Sequence, residues 1–162
     1  MDLVFLSVLI GVAMAVAVRI LWDYPLAIRF GGTLAAAQGV GLLVSAVSTV
    51  SPFYFASRYW MTAAFALVGT VVAVGYAPSV FTPRRPGPYS TRLVLGLLTG
   101  AVVYAGYWFY LQRTGLAEEL PVAPRQILFA FLALGLLIVL GFSATAGILR
   151  SYWPPPKAKE EG

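Results

Sequence analysis

The chain alternates long apolar runs with short polar or proline-rich interruptions. Five apolar runs occupy positions 3–22, 30–50, 60–81, 93–112 and 127–149. Each is close to the roughly 20 residues that a helix needs to cross the hydrocarbon core of a bilayer. Hydrocarbon offers no hydrogen-bond partners, so backbone N–H and C=O groups inside the bilayer must pair within a helix or a closed barrel. These runs lack the period-two alternation of barrel strands. The pattern therefore predicts an all-α integral membrane bundle of five transmembrane helices.

Composition and charge extend this prediction to domains and orientation. The chain is 60% hydrophobic and 10% charged, so its polar segments are too few to cover five apolar runs in water. We expect one transmembrane domain over 1–150 and a Pro-rich, charged tail over 151–162. Eight Lys and Arg residues fall in the first and third connections and the C-terminal end, against three in the second and fourth connections. The positive-inside rule then predicts an external N-terminus and a cytoplasmic tail, in a multi-pass protein of the cell inner (plasma) membrane.

The net charge of +5 does not indicate a nucleic-acid partner, because the basic residues are spread over several connections instead of one face. The expected surroundings are the lipid bilayer and other membrane subunits.

The residue types that the chain lacks exclude most of the metal, haem and nucleophilic chemistry known in membrane proteins. The chain contains no histidine and no cysteine, which are the usual ligands of membrane haem, copper and zinc. We therefore predict no cofactor, no metal site and no Ser-His or Cys-His catalysis. The six acidic residues fall at predicted helix ends, in connections or in the tail, whereas proton and ion carriers place an ionisable group inside a span. They are Asp2, Asp23, Glu118, Glu119, Glu160 and Glu161. Glu118 and Glu119 could form an acid/base pair, but a solvated turn explains them more simply.

Gln38 is the most polar side chain expected at membrane depth. Its amide could hydrogen-bond a quinone but cannot carry a proton, and a cross-helix bond from Gln stabilises membrane packing by about 0.6–2 kcal/mol. Because small residues at four-residue spacing surround it, we predict helix packing for Gln38 and Gly39. The same reasoning assigns packing roles to Gly69 and to the GxxxG pair Gly96 and Gly100, inside the chain or with another subunit.

Aromatic residues gather at the predicted span ends, within 53–60, at 107–110 and at Tyr152 and Trp153. This position is typical of a membrane-interface belt. An aromatic box for a cation or quinone is the alternative.

Several local features carry a resemblance to a known family. The chain begins MDLVF, carries Arg19 near the end of its first helix and Pro25 in its first connection, and reads YFA at 54–56. Together with the five-span layout, this resembles the J subunit of the NADH:quinone oxidoreductase (respiratory complex I) family. The resemblance implies an accessory subunit of a proton-pumping quinone oxidoreductase in the respiratory chain, without its own redox centre or proton-carrying carboxylate. The family has a π-bulge in its third helix, for which Gly69 is the candidate here.

Two other classes of function stay open from the residues alone. One is an accessory subunit of another membrane complex, such as a terminal oxidase or a multisubunit antiporter. The other is a self-contained homo-oligomeric channel or small transporter, which can work through backbone carbonyls and helix packing. Catalysis by the chain alone is the poorest fit, because its acid/base residues would have to come from the connections.

Overall fold

Five long α-helices make up the structure, a computed structural model that describes residues 2–47, 52–81 and 89–157. They are α1 (Asp2–Ile20), α2 (Leu26–Val47), α3 (Pro52–Phe81), α4 (Tyr89–Thr114) and α5 (Pro124–Tyr152), with a 3₁₀ turn at Leu116–Glu119. Side chains are described for residues 4–44, 62–81 and 90–157. No strand occurs in the described ranges, so the predicted all-α fold is confirmed.

Length and composition make this a multi-pass membrane protein. The four helices α2 to α5 are each long and apolar enough to cross a bilayer, while the apolar stretch of α1, Val4–Ile20, is shorter. The helices also extend beyond the predicted spans, since α3 begins at Pro52 instead of 60 and α2 at Leu26 instead of 30. Hydropathy reports only the part of a helix that matches hydrocarbon, whereas backbone hydrogen bonding continues past it.

Local chemistry sets several helix ends. α3 and α5 begin at Pro52 and Pro124. The backbone N–H at the first position of a helix has no acceptor within the helix, so proline, which lacks this N–H, costs no hydrogen bond there. α4 is closed by Gly115, whose φ of 72° lies in the left-handed region that glycine adopts without strain. Pro78 removes a backbone donor within the last turn of α3, which ends three residues later at Phe81.

The helix α5 is the centre of the bundle, because α1, α3 and α4 all pack against it while α2 lies outside on α1 and α3. Glycines bring the backbones into direct contact on two sides of α5. A Cβ at Gly11 of α1 would overlap the Ile138 carbonyl oxygen and lie 2.8 Å from the Phe142 nitrogen. On the other side, a Cβ at Gly135 would overlap the backbone of Gly96 and Gly100. Only glycine permits these approaches.

Alternation of helix direction sorts the charged residues into two ends. At one end α1, α3 and α5 finish and α2 and α4 start; we call it the basic end. Its charged positions in the described ranges are Arg19, Asp23, Arg29, Arg92, Arg150 and Lys157. The opposite end holds Asp2, Arg58, Arg113, Glu118, Glu119 and Arg125.

The orientation of these ends can be tested directly. We expect a reporter fused after Gly162 to be cytoplasmic and one inserted beside Glu118 to be external, because positive residues are retained on the cytoplasmic side. A paired fluorescent-protein and alkaline-phosphatase fusion at each position measures the side. Reversal of both signals would contradict the predicted orientation.

Candidate functional site

The basic end is held together by arginines that donate to backbone carbonyls. Arg19, only 4% exposed, donates from Nε to the Trp153 carbonyl at 2.7 Å and from Nη2 to the Pro154 carbonyl at 2.9 Å. Its guanidinium carbon also lies 4.2 Å from the centroid of the Trp153 ring. The buried charge of Arg19 is therefore met by carbonyl dipoles and an aromatic face.

Two further arginines also donate to backbone carbonyls at this end. Arg29 at the start of α2 donates from Nη2 to the Trp22 carbonyl at 2.7 Å, and its guanidinium carbon lies 5.0 Å from the Trp22 ring centroid. Arg150 at the end of α5 donates from Nη1 to the Val80 carbonyl at 3.4 Å. An arginine from a different helix thus lies at the C-terminal end of each of α5, α1 and α3. Val80 is in the last turn of α3, whereas Trp22 directly follows α1 and the two acceptors of Arg19 directly follow α5. The C-terminal end of a helix carries partial negative charge, which a nearby cation stabilises.

From the sequence, these arginines served as charges for orientation, and Arg19 also as part of the family resemblance, but their contacts were not predicted. Arg19 and its acceptor Trp153 are 134 residues apart, and no local pattern pairs them. One feature of the sequence could have indicated such a contact: Arg19 lies in the last turn of α1, where a basic side chain can reach carbonyls at a helix end.

Three of the residues predicted to pack lie at contacts between helices of the chain. A Cβ at Gly96 would be 2.7 Å from the Leu136 Cα, and one at Gly100 would be 2.7 Å from the Leu132 Cα. A Cβ at Gly69 would be 2.7 Å from the Met14 Cε. The structure thus places Gly96 and Gly100 together at the contact of α4 with α5, and Gly69 of α3 at a separate contact with α1.

The other two packing candidates show no such contact within the described residues, and the prediction had left open packing inside the chain or with another subunit. Gly39 is exposed, and a Cβ there would meet no atom within 4 Å, because its side of α2 faces away from α1 and α3. Gln38 is half-buried, and its amide makes no hydrogen bond within the ranges that the structure describes. A hydrogen bond to the Gln38 amide, or a helix packed on Gly39, would therefore have to come from outside the described residues.

The bulge expected at Gly69 is also corrected. α3 is regular α-helix from Pro52 to Phe81. Gly69 makes room for the Met14 side chain instead of marking a change in helix pitch.

The aromatic cluster at the end of α4 divides into two roles. Tyr107 is only 9% exposed, with its ring centroid 5.4 Å from that of Phe131, so its prediction as a belt residue is wrong. Phe109, 60% exposed, and Tyr110 face outward as belt residues do. The cluster at 53–60 lies outside the residues whose side chains are described.

Little else in the described bundle offers reactive chemistry. The described ranges contain no group of three side chains able to hold a metal ion. Glu118 and Glu119 lie exposed in the 3₁₀ turn. The buried hydroxyls of Thr33 and Thr99 bond to the carbonyls of Arg29 and Leu95 in their own helices. Two further buried hydroxyls, of Thr70 and Ser143, have no partner within the described residues, and nothing in the structure explains them.

These observations define a multi-pass, all-helical membrane bundle whose helix ends are capped by arginine at one side. No protein-family model, curated protein or solved structure matches the chain. Its function is therefore inferred from its own residues.

Proposed function

We propose that the chain is an accessory, non-catalytic subunit of a larger membrane complex, and that it joins this complex through the outward face of α2. The observation that carries the proposal is Gln38. Its amide lies near the middle of a helix long enough to cross the bilayer and makes no hydrogen bond within the described residues. An amide left without a partner in apolar surroundings costs about 1–3 kcal/mol. A partner helix that hydrogen-bonds Gln38 would remove this cost.

The surroundings of Gln38 suit close approach by another helix. Gly31, Ala35 and Gly39 follow one another at four-residue spacing, so they share one side of α2, and all three are exposed. A Cβ at Gly31 or Gly39 would meet no atom within 4 Å. Small residues in this pattern allow two helix backbones to pack closely in lipid. α2 is also the most peripheral of the candidate spans, with 17% of its apolar window buried against 50% for α3.

The residue inventory supports a non-catalytic role. The whole sequence lacks histidine and cysteine. Its acidic residues lie outside the interiors of the helices, so the spans offer no carboxylate for carrying protons. A subunit of this kind would contribute surface and packing, while its partners supply the redox or transport chemistry.

Among membrane complexes, we propose the proton-pumping quinone oxidoreductase of a respiratory membrane. Support comes from the five-helix layout and from the resemblance carried by Arg19, Pro25 and the YFA at 54–56. α3 is regular and lacks the π-bulge of that family, so this helix does not support the proposal. A terminal oxidase or a multisubunit antiporter is the alternative complex.

The first test is recovery of the tagged full chain from its native membranes in mild detergent. We expect it to migrate with other membrane proteins, and quinone reductase activity in that fraction would identify the complex. Recovery as a monomer would contradict the proposal. A symmetric oligomer of this chain alone would instead favour the channel or transporter interpretation.

The second test concerns Gln38. We expect Gln38→Leu to weaken assembly by about 0.6–2 kcal/mol, because the cross-helix hydrogen bond is lost. Quantitative recovery of partners at several detergent concentrations measures the change. Gln112→Leu is the matched control, since Gln112 is exposed near the end of α4. Equal recovery with both variants would remove Gln38 from the proposed interface.

A further inference from the structure

We infer that the basic end binds the headgroups of anionic phospholipids, and this inference does not depend on the proposed subunit role. The two ends of the bundle differ sharply in charge. At the described positions, the basic end has five basic residues and one acidic residue, a net charge of +4. The opposite end has three of each, a net charge of zero. The alternating helix directions therefore concentrate positive charge on one surface, which attracts anionic lipid.

The three arginines described above are held by neutral groups, which leave their positive charge uncompensated. Within the described residues, Arg19 and Arg29 contact carbonyl oxygens and aromatic rings, Arg150 contacts a carbonyl oxygen, and none of the three forms an ion pair with a carboxylate. A carbonyl orients the guanidinium without cancelling its charge. The helix contacts thus fix cations at this end of the bundle, and no described carboxylate pairs with these three arginines.

Arg150 offers hydrogen-bond donors as well as charge. It is exposed, and only Nη1 is used, in a long contact of 3.4 Å to the Val80 carbonyl. The guanidinium has five N–H donors in a planar fork that matches phosphate oxygens. Lys157, also exposed, adds an ammonium group beyond the end of α5. These two side chains present the chemistry that a phospholipid phosphate requires.

Aromatic side chains place the same surface at headgroup depth. Tyr152 is 88% exposed at the last residue of α5, and Tyr24 and Trp153 are also exposed. Tyrosine and tryptophan favour the boundary between hydrocarbon and headgroups. Arg150 and Lys157, close to Tyr152 in sequence, then lie near the phosphate layer.

The test is made with the full chain in nanodiscs containing phosphatidylcholine and phosphatidylglycerol. Native mass spectrometry after release measures which lipid stays bound. We expect the wild type to retain phosphatidylglycerol in excess of its share of the bilayer. The double variant Arg150→Gln, Lys157→Gln should lower this enrichment by about fivefold if one of the two cations contacts the lipid and by about 25-fold if both do, because each cation near the surface contributes a factor of about five.

The matched control is Arg113→Gln with Arg125→Gln, which removes two exposed arginines from the opposite, charge-balanced end. It should keep the wild-type enrichment, and circular dichroism should give the same helix content for all three proteins. No enrichment in the wild type, or an equal loss in both double variants, would overturn the inference. Because the isolated chain is used, failure of this test leaves the proposed subunit role unaffected.

Discussion

Gly100→Leu is expected to lower the free energy of unfolding by about 1–3 kcal/mol, because it builds a side chain into the backbone of α5. A Cβ at Gly100 would overlap the Phe131 carbonyl oxygen and lie 2.7 Å from the Leu132 Cα. Backbone atoms of a packed helix cannot rotate away as a flexible side chain can, so α4 and α5 must separate. Denaturant unfolding in detergent micelles, followed by circular dichroism, measures the loss.

Gly75→Leu provides the control. Gly75 is exposed on α3, and a Cβ there would meet no atom within 4 Å. Its substitution should change the free energy of unfolding by no more than about 0.5 kcal/mol. A Gly100→Leu variant as stable as Gly75→Leu would mean that α4 and α5 do not approach as closely as the structure has them.

The fold class was predictable because lipid restricts the choices. Once a run is long and apolar enough to cross the bilayer, helical hydrogen bonding follows, and the five runs match α1 to α5 in order. Helix ends were less predictable, as at α3, whose helix begins eight residues before the predicted span. The eight added residues, PFYFASRY, are half aromatic but include a proline and an arginine, and hydropathy alone does not show that the helix continues through them.

Contacts between helices were predictable only where the small-residue pattern repeats within one helix. Gly96 and Gly100 form such a pair, but their partner on α5, Gly135, stands between Phe131 and Val139 at four-residue spacing and carries no repeat. Gly11 was detectable in principle, since Ser7 and Ala15 flank it four residues away on the same side of α1.

α2 has the opposite difficulty, because small residues lie on every side of it. Spacing alone cannot decide which side faces the bundle. Gly32 and Gly41 face inward, toward the side chains of Leu21 and Thr62, whereas Gly31 and Gly39 face outward. The choice depends on how α2 rotates against α1 and α3, which is a property of the whole bundle.

The arginine contacts were beyond sequence reasoning for a related reason. A charged residue near a span end satisfies the positive-inside rule whether it points to water or folds back onto another helix. Arg19 folds back, and the acceptors are carbonyls, which every residue possesses. Only the arrangement of α1 beside α5 selects Trp153 and Pro154 as its partners.

Arg19→Leu is therefore expected to destabilise the chain by about 1.5–3 kcal/mol, the usual contribution of a hydrogen bond to a charged group. The variant leaves the carbonyls of Trp153 and Pro154 without their donor at the end of α5 and removes the cation above the Trp153 ring. Unfolding in micelles measures the stability, and accelerated proteolysis after Trp153 should report release of the C-terminal segment.

The variant Arg19→Lys distinguishes the effect of the positive charge from that of the planar guanidinium. Lysine keeps the positive charge but lacks the planar fork that reaches two carbonyls while stacking on an aromatic ring. Its stability should fall between those of the wild type and Arg19→Leu, with partial release of the segment after Trp153. Arg113→Leu is the control, because Arg113 is exposed at the opposite end, and it should change the stability by no more than about 0.5 kcal/mol. If Arg19→Lys matched the wild type in both measurements, charge at the end of α5 would be sufficient; if Arg19→Leu matched it too, the contact would not stabilise the bundle.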